Sequence, residues 1–295
     1  MQVVQLSSIF PSLSKKSTSL YGHSLGKGVQ QSWDEFHAAC QAAYVADRKP
    51  TAEQVKSAQD LHELGQANLG VKSPASLNKA VSDAFEKIGS RELVSYIPRD
   101  EAGVFAPAIF QVLESVAPVI EEFYGSYYQP YWISLQQNFP GTASAASSFA
   151  WHIDDNPRQL MKIFIYFNDV GEANGAFRAF TYPVSKNLLE AGFKSWSEKL
   201  RIESQPMIND YYAEHPTELK VLEGKAGTVL MFDNNLVHKG TPPREGFRHL
   251  AQIEIYPSMT KLTQEQVLLS MTNPLTSDYP PEPRINDLSG AQLVH

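Results

Sequence analysis

Phe149–Val170 reads FAWHIDDNPRQLMKIFIYFNDV, so a histidine and two acids stand directly before an apolar, aromatic run. In an extended strand alternate residues share a face. His152 and Asp154 therefore aim at one point, with Ile153 turned to the other side. An imidazole nitrogen and a carboxylate oxygen are both donors to borderline divalent metals. Two donors hold a metal poorly, so a third has to come from elsewhere. An isolated His-x-Asp is explained better by a strand-end histidine beside a solvated acid, so the rest of the chain has to decide.

A second stretch adds to the first. GTVLMFDNNLVHKGTPPREGFRHLAQIEIYP places His238 at the end of an apolar run, followed by a Gly/Pro-rich turn and a second run that carries Arg248. A hairpin folded about Pro243 would set His238 opposite Arg248, with Cβ atoms about 5 Å apart on one face. A buried guanidinium is costly without an anion, and its fork matches a carboxylate. Two histidines and one carboxylate form the facial triad of non-haem Fe(II) oxygenases, which leaves positions open on the metal. His152, Asp154 and His238 are thus the candidate ligands.

With these segments the chain resembles the Fe(II)/2-oxoglutarate dioxygenases, and most of all their phytanoyl-CoA dioxygenase-like branch. WHIDDNPRQLMKIFIYFNDVGEANGAF carries the His-x-Asp, the strand after it and an Asp-Val-x-x-x-Asn-Gly turn; HKGTPPREGFRHLAQIEIYP carries Arg ten residues after the distal His; LQQNFPG is a weaker match. The resemblance spans roughly Tyr131–Pro257. It implies a double-stranded β-helix, a jelly roll of cupin-like kind. It also implies Fe(II), 2-oxoglutarate and O2 as cofactors, Arg248 on the far carboxylate of the keto acid, and release of succinate and CO2. Related iron halogenases lack the carboxylate ligand; this chain keeps Asp154, so hydroxylation or desaturation of a small molecule is implied. Two departures stand out. TYPVSKN (Thr181–Asn187) replaces a Pro-Gly-Ser-His-like turn, and Gly240 stands where relatives often have a hydroxyl. The rival readings are a cupin-like metal isomerase or lyase without a keto acid, and a non-catalytic jelly-roll binding protein.

Other residues are candidates for the same pocket. Lys162 interrupts the apolar run MKIFIYF and either faces outward or meets an anionic ligand. By alternation only one of Gln137 and Asn138 faces inward, where an amide would suit 2-oxoglutarate. Trp151, Tyr131 and Arg178 are candidates for substrate contact, and Trp132 could line the same pocket. His249 follows Arg248 and faces away from it, so it is not counted as a ligand. Leu250 and Gln252 share the Arg248 face, whereas Ala251, Ile253 and Ile255 form an apolar row suited to packing on helices.

The elements that must hold these groups divide the chain in two. Residues 1–128 read as mainly helical, with capping-box patterns at Ser32/Glu35 and Thr51/Gln54, glycine stops at Gly65 and Gly89, and Pro107 and Pro118 as first-turn positions or a break. GHSLGKG (Gly22–Gly28) reads as a flexible loop. Residues 129–258 show short β-rich runs separated by Gly, Pro and Asn, and residues 259–295 read as a tail. The expectation is a mainly β fold with a helical N-terminal part, in one catalytic domain over residues 1–295. Of the 295 residues 42% are hydrophobic and 19% charged, which suits a globular chain. A net charge of −7 without a Lys/Arg block argues against nucleic acid. A single cysteine, Cys40, excludes an intrachain disulfide. The opening residues lack a signal-peptide pattern and the unbroken apolar runs fall short of a membrane span. A cytoplasmic setting and a small-molecule substrate are expected, with the oligomeric state open.

Overall fold

The computed structural model describes residues 27–141 and 148–273. The first part holds α1 (Lys27–Ala43), α2 (Ala52–Leu64), β1 (Gln66–Val71), α3 (Ala75–Ile88), β2 (Ser95–Tyr96) and α4 (Arg99–Ala102), which runs through a 3-10 turn into α5 (Ala106–Tyr124). Then come β3 (Tyr127–Asn138), β4 (Met161–Tyr166), β5 (Phe177–Phe180), α6 (Tyr182–Glu190), α7 (Glu198–Glu214) and β6 (Leu219–Leu222). β7 (Thr228–Asp233), β8 (His238–Lys239), β9 (Arg248–Ser258) and α8 (Gln264–Thr272) complete it.

The capping pattern at Thr51 works as expected. The Gln54 amide N–H donates to the Thr51 hydroxyl, and the Gln54 side chain accepts from the Thr51 N–H. Gly65 ends α2 in the left-handed region, at φ 78°. A Cβ there would lie 2.7 Å from Leu236, so only glycine suits both the turn and the contact. The pattern at Ser32 fails, because α1 begins at Lys27 and Ser32 lies inside it. Pro107 sits in the first turn of α5. Pro118 neither starts nor breaks the helix. It withholds the N–H that would satisfy Glu114 O, and Arg48 Nη1 approaches that oxygen at 3.5 Å while Nη2 binds the Glu114 carboxylate at 2.6 Å.

Two antiparallel sheets pack as a β-sandwich with helices outside it. The large sheet has the order β1-β7-β4-β9-β3-β2 and the small one β6-β5-β8. Alternation divides the strands of the large sheet between two cores. Met161, Ile163, Ile165, Val229, Met231, Ala251, Ile253 and Ile255 pack with Ile109, Leu113, Val116 and Ile120 of α5. Phe164, Tyr166, Leu230, Phe232 and Leu250 pack with Phe177 and Ala179 of the small sheet. The span Arg99–Tyr124 is long and apolar enough to cross a membrane by length and composition, contrary to the expectation from unbroken runs. Half of its apolar window is buried in the first of these cores.

Several elements depart from the sequence reading. The N-terminal part is not purely helical, since β1 and β2 form the two edges of the large sheet. Residues 182–214, expected to be β-rich, hold α6 and α7, which cover the small sheet through Val184, Leu188 and Ile208. Pro183 in the first turn of α6 and the Ser197 cap of α7 were the signals for them. α8 occupies part of the expected tail and opens on a Thr263/Gln266 capping box. Of the expected Gly22–Gly28 loop, Lys27 and Gly28 open α1 instead, while Gly22–Gly26 and the tail after Asn273 lie outside the described residues.

The proposed β8–β9 hairpin does not exist. β8 pairs with β5 in the small sheet, while β9 pairs with β3 and β4 in the large one. A close backbone packing separates them: a Cβ on Gly175 would fall 2.5 Å from Thr241 O. The Thr241–Pro243 segment therefore lies against the turn before β5 and cannot close tightly between β8 and β9. His238 and Arg248 face one cavity from opposite sheets.

Candidate metal centre

His152 and His238 lie directly opposite each other in an antiparallel bridge, each N–H donating to the other's carbonyl at 2.9 Å. The Asp154 N–H donates to Asn234 O at 3.0 Å. Asn235 ties the same segments together, accepting from the Asn156 N–H at 2.9 Å and donating to Asn156 O at 3.0 Å. The intervening backbone donors point the other way, toward the α6–α7 insertion. The Trp151 N–H donates to Gln205 at 2.9 Å and the Ile153 N–H to Ser195 Oγ at 2.9 Å. Every N–H from Trp151 to Asp154 thus has a partner, and the ligand-bearing segment is held along both edges.

The two imidazoles are oriented alike. His152 Nδ1 lies 2.8 Å from Ala150 O, and His238 Nδ1 lies 2.8 Å from Leu236 O. A carbonyl oxygen only accepts, so Nδ1 carries a proton in each ring and Nε2 is the nitrogen left to face a metal. Such a backbone contact fixes the tautomer of metal-ligating histidines. His152 Nε2 lies 3.2 Å from Asp154 Oδ1 and His238 Nε2 lies 3.9 Å from it. One ligand atom from each residue falls within 4.8 Å of the others. Burial, aided by the neighbouring His152 ring, pushes His238 down to about 3, so it is neutral at pH 7. Burial alone would raise the Asp154 carboxyl, but the Lys162 ammonium beside it holds it well below the usual carboxylate range. Two imidazoles and an ionised carboxylate are a donor set that fits a divalent ion of the iron or zinc type.

A cavity of about 230 Å³ opens beside these atoms, and Asn138, Lys162 and Arg248 also reach it. Arg248 is 4% exposed. Its Nε and Nη2 donate to Asn138 Oδ1 at 3.0 and 2.8 Å, and its Nη1 donates to Gly175 O. The Asp-Val-x-x-x-Asn-Gly turn has a local purpose here. The Asn174 amide donates to Asp169 O at 2.6 Å and to Phe247 O at 3.1 Å, which fixes Gly175 O against the guanidinium. Among the described residues no carboxylate pairs with Arg248.

Asn138, not Gln137, is the inward amide. Gln137 faces the helices, donating to Ser90 O at 2.7 Å and accepting from His249 Nε2 at 2.8 Å. It cannot serve as a cosubstrate contact from there. The Lys162 ammonium faces the cavity but pairs with Asp154 and Glu254. Trp151 points away from the cavity, its ring packed on Phe180 at 5.1 Å with the Lys239 ammonium 4.7 Å above it. Arg178 is on the outer face of the small sheet, paired with Glu172. Tyr131 sits at a register shift in β3 and directs its hydroxyl to Glu254, so Trp132 takes the place on the cavity wall. The sequence reading named Trp132 as a possible pocket residue and missed Gln136; both line the cavity. Parity from Asn138 back along β3 would have found Gln136.

No known protein-family model matches the chain, and no curated protein does. Among solved structures it is similar to AviO1 from Streptomyces viridochromogenes Tue57, with 18% identity, TM-score 0.48, and coverage of 70% of this chain and 96% of that one. It is similar to the epimerase SnoN in complex with Fe3+, alpha ketoglutarate and nogalamycin RO, at 11% identity, TM-score 0.49, and coverage of 70% and 84%. It is also similar to EctD from S. alaskensis with bound Fe, at 15% identity, TM-score 0.48, and coverage of 72% and 79%. At such identities and TM-scores the chemistry of this chain has to be read from its own residues.

Proposed function

We propose that this chain is a non-haem Fe(II)- and 2-oxoglutarate-dependent oxygenase that hydroxylates or desaturates a small molecule. Its sandwich is then a double-stranded β-helix of the phytanoyl-CoA dioxygenase-like kind, in one catalytic domain. The observation that carries this reading is a juxtaposition. His152, Asp154 and His238 converge on the cavity that also exposes a buried guanidinium without a carboxylate partner among the described residues. A metal isomerase or lyase needs the three donors but gives Arg248 nothing to bind.

In this reading His152 Nε2, Asp154 Oδ1 and His238 Nε2 hold Fe(II). Bound there, the metal supplies the redox chemistry that couples O2 to decarboxylation of a keto acid and oxidation of a C–H bond. The residues of the chain bind, orient and exclude water. Arg248 takes the far carboxylate of 2-oxoglutarate, pre-aimed by Asn138 and Gly175, so little side-chain entropy is lost on binding. Phe164, Phe177 and Leu250 add apolar wall to the cavity, which disfavours water there. Asp154 remains an ionised ligand, which fits oxygen insertion rather than halide transfer.

The test is anaerobic loading of the purified chain with Fe(II), followed by air and 2-oxoglutarate. Succinate should form slowly without added substrate and faster with a turnover-competent one. Succinate at the metal-free background in both conditions would sink the reading.

A further inference from the structure

The two oxygens of Asp154 have different partners. Oδ1 faces the two imidazoles, 3.2 and 3.9 Å from their Nε2 atoms. Oδ2 accepts a hydrogen bond from the Lys162 ammonium. Glu254 stands across the strand pair from Lys162, and its Oε1 lies 3.5 Å from Nζ. Glu254 Oε2 accepts from the Tyr131 hydroxyl, and Gln252 Nε2 reaches Oε1 at 3.4 Å. Two carboxylates therefore share one ammonium, and the side chains of Lys162 and Glu254 are only 12% and 14% exposed. Burying a lysine is costly, and the next positions of β4 on the same face are Phe164 and Tyr166. The alternation of β4 would accept an apolar residue at 162 without loss to the core.

We propose that Lys162 is a positioning residue for Asp154: it reserves Oδ2, so that the carboxylate offers a metal Oδ1 alone. Glu254 and Tyr131 hold the ammonium in that place. The inference rests on the metal-site reading above. Its consequence is a coordination position saved. A carboxylate that gave both oxygens would occupy one more site on the ion, at the expense of an exogenous ligand. The same arrangement sets the charge around the metal. Lys162 opposes a dication and Glu254 favours it, so neutralising each should move metal affinity in opposite directions. A lysine that merely stabilised the fold would give weaker binding in both cases.

The experiment titrates Co(II) into the purified 295-residue chain without cosubstrate and follows visible absorption. The unsubstituted protein should bind one equivalent, and His238→Ala should abolish it. Lys162→Met should bind Co(II) about threefold tighter or more, with altered bands as Oδ2 joins the metal. Glu254→Gln should bind it about threefold weaker or more. Lys162→Arg should restore the original spectrum. Weaker binding in both neutral variants, or an unchanged spectrum and affinity in Lys162→Met, overturns the inference and leaves the metal site standing. If Lys162→Met does not fold, unchanged or tighter binding in Glu254→Gln overturns it instead. Absence of Co(II) uptake by the unsubstituted protein, or equal uptake by His238→Ala, removes the metal site and this inference with it.

Discussion

Gln137 and Asn138 are neighbours in β3, and His249 and Arg248 stand opposite them in β9. Both cross-strand pairs are buried and both are hydrogen-bonded, yet they end on opposite faces of the large sheet. On the helix side the pair is closed. His249 donates to Gln137, its Nδ1 lies 3.1 Å from Ser82 Oγ, and its ring lies between Phe85 and Phe247 at 4.7 and 4.5 Å. On the cavity side Asn138 accepts twice from Arg248, yet no carboxylate among the described residues neutralises the guanidinium. Burial disfavours its charge. A satisfied neutral pair is a packing unit, whereas a buried cation facing a cavity without an anion is poised for a ligand. A one-residue step along the strand separates the two.

The largest effect should separate the two buried histidines. His238→Ala removes a metal donor that nothing replaces, so Fe(II)-dependent succinate formation should fall to the metal-free background. His249→Ala removes an aromatic contact from the helix-side core and should cost about 2–4 kcal/mol of stability. Activity per folded molecule should stay within about threefold, since no cavity contact is lost. Urea unfolding and succinate assays on both variants check this. Activity lost in His249→Ala at temperatures where it is folded would break the division between the faces.

Arg248→Ala should act mainly on the cosubstrate. Truncating one partner of a buried, charge-assisted pair costs about 2–5 kcal/mol, or about 30-fold to several thousandfold in affinity for 2-oxoglutarate. Metal affinity should change far less. Calorimetric titration of 2-oxoglutarate into the Co(II)-loaded protein reads the difference. Normal binding in the variant would reassign the anion site, with Lys162 as the remaining cation at the cavity.

How much of this was legible follows from the range of the signals involved. The His-x-Asp alternation, the helix-side row Ala251, Ile253 and Ile255, and the caps at Thr51 and Gly65 depend on a few consecutive residues, and all were readable. The partner of β8 depends on a Gly175 contact with Thr241 some sixty residues away, so a tight turn at Pro243 looked like a hairpin. The choice between Gln137 and Asn138 needed the parity of β3 against Arg248, which only the pairing supplies. Tyr131 leaves the cavity wall to Trp132 because a register shift between Pro130 and Trp132 interrupts the alternation. Trp151 and Arg178 looked available because the covering helices α6 and α7 and the Glu172 pairing were not foreseen. The structure brings the three candidate ligands together even though the hairpin argument for His238 was wrong.

The amide neighbours give a smaller test of the same division. Asn138→Ala takes away the oxygen that aims two guanidinium N–H groups. Losing hydrogen bonds to a charged group costs about 1.5–3 kcal/mol, or about ten- to a hundredfold weaker 2-oxoglutarate binding. Gln137→Ala should leave that binding unchanged and lower stability by about 1–3 kcal/mol, because His249 Nε2 loses its acceptor. Equal effects of the two variants on 2-oxoglutarate would mean that Arg248 is not aimed by Asn138.

The expected effect that is smallest at neutral pH belongs wholly to the closed face. Burial pushes His249 down to about 4, and the polar groups beside its ring, Gln137 and Ser82, are neutral. In the unfolded chain the same ring titrates near its ordinary value of about 6.5. Above that pH neither state takes a proton there, so His249 adds no pH dependence. Between about 6.5 and 4 the unfolded state binds the proton and the folded state refuses it, so stability falls as pH falls, by up to about 1.4 kcal/mol per unit. Below about 4 both states are protonated and this contribution levels off. His249→Gln removes the titrating group, so its stability should fall less steeply over that window. Urea unfolding of the two proteins at steps from pH 7 to pH 4.5 measures both slopes. The gap between them should narrow continuously toward acid. Parallel slopes would mean that the His249 ring admits a proton in the folded state, and that the helix-side pair is open in the way the Arg248 side is.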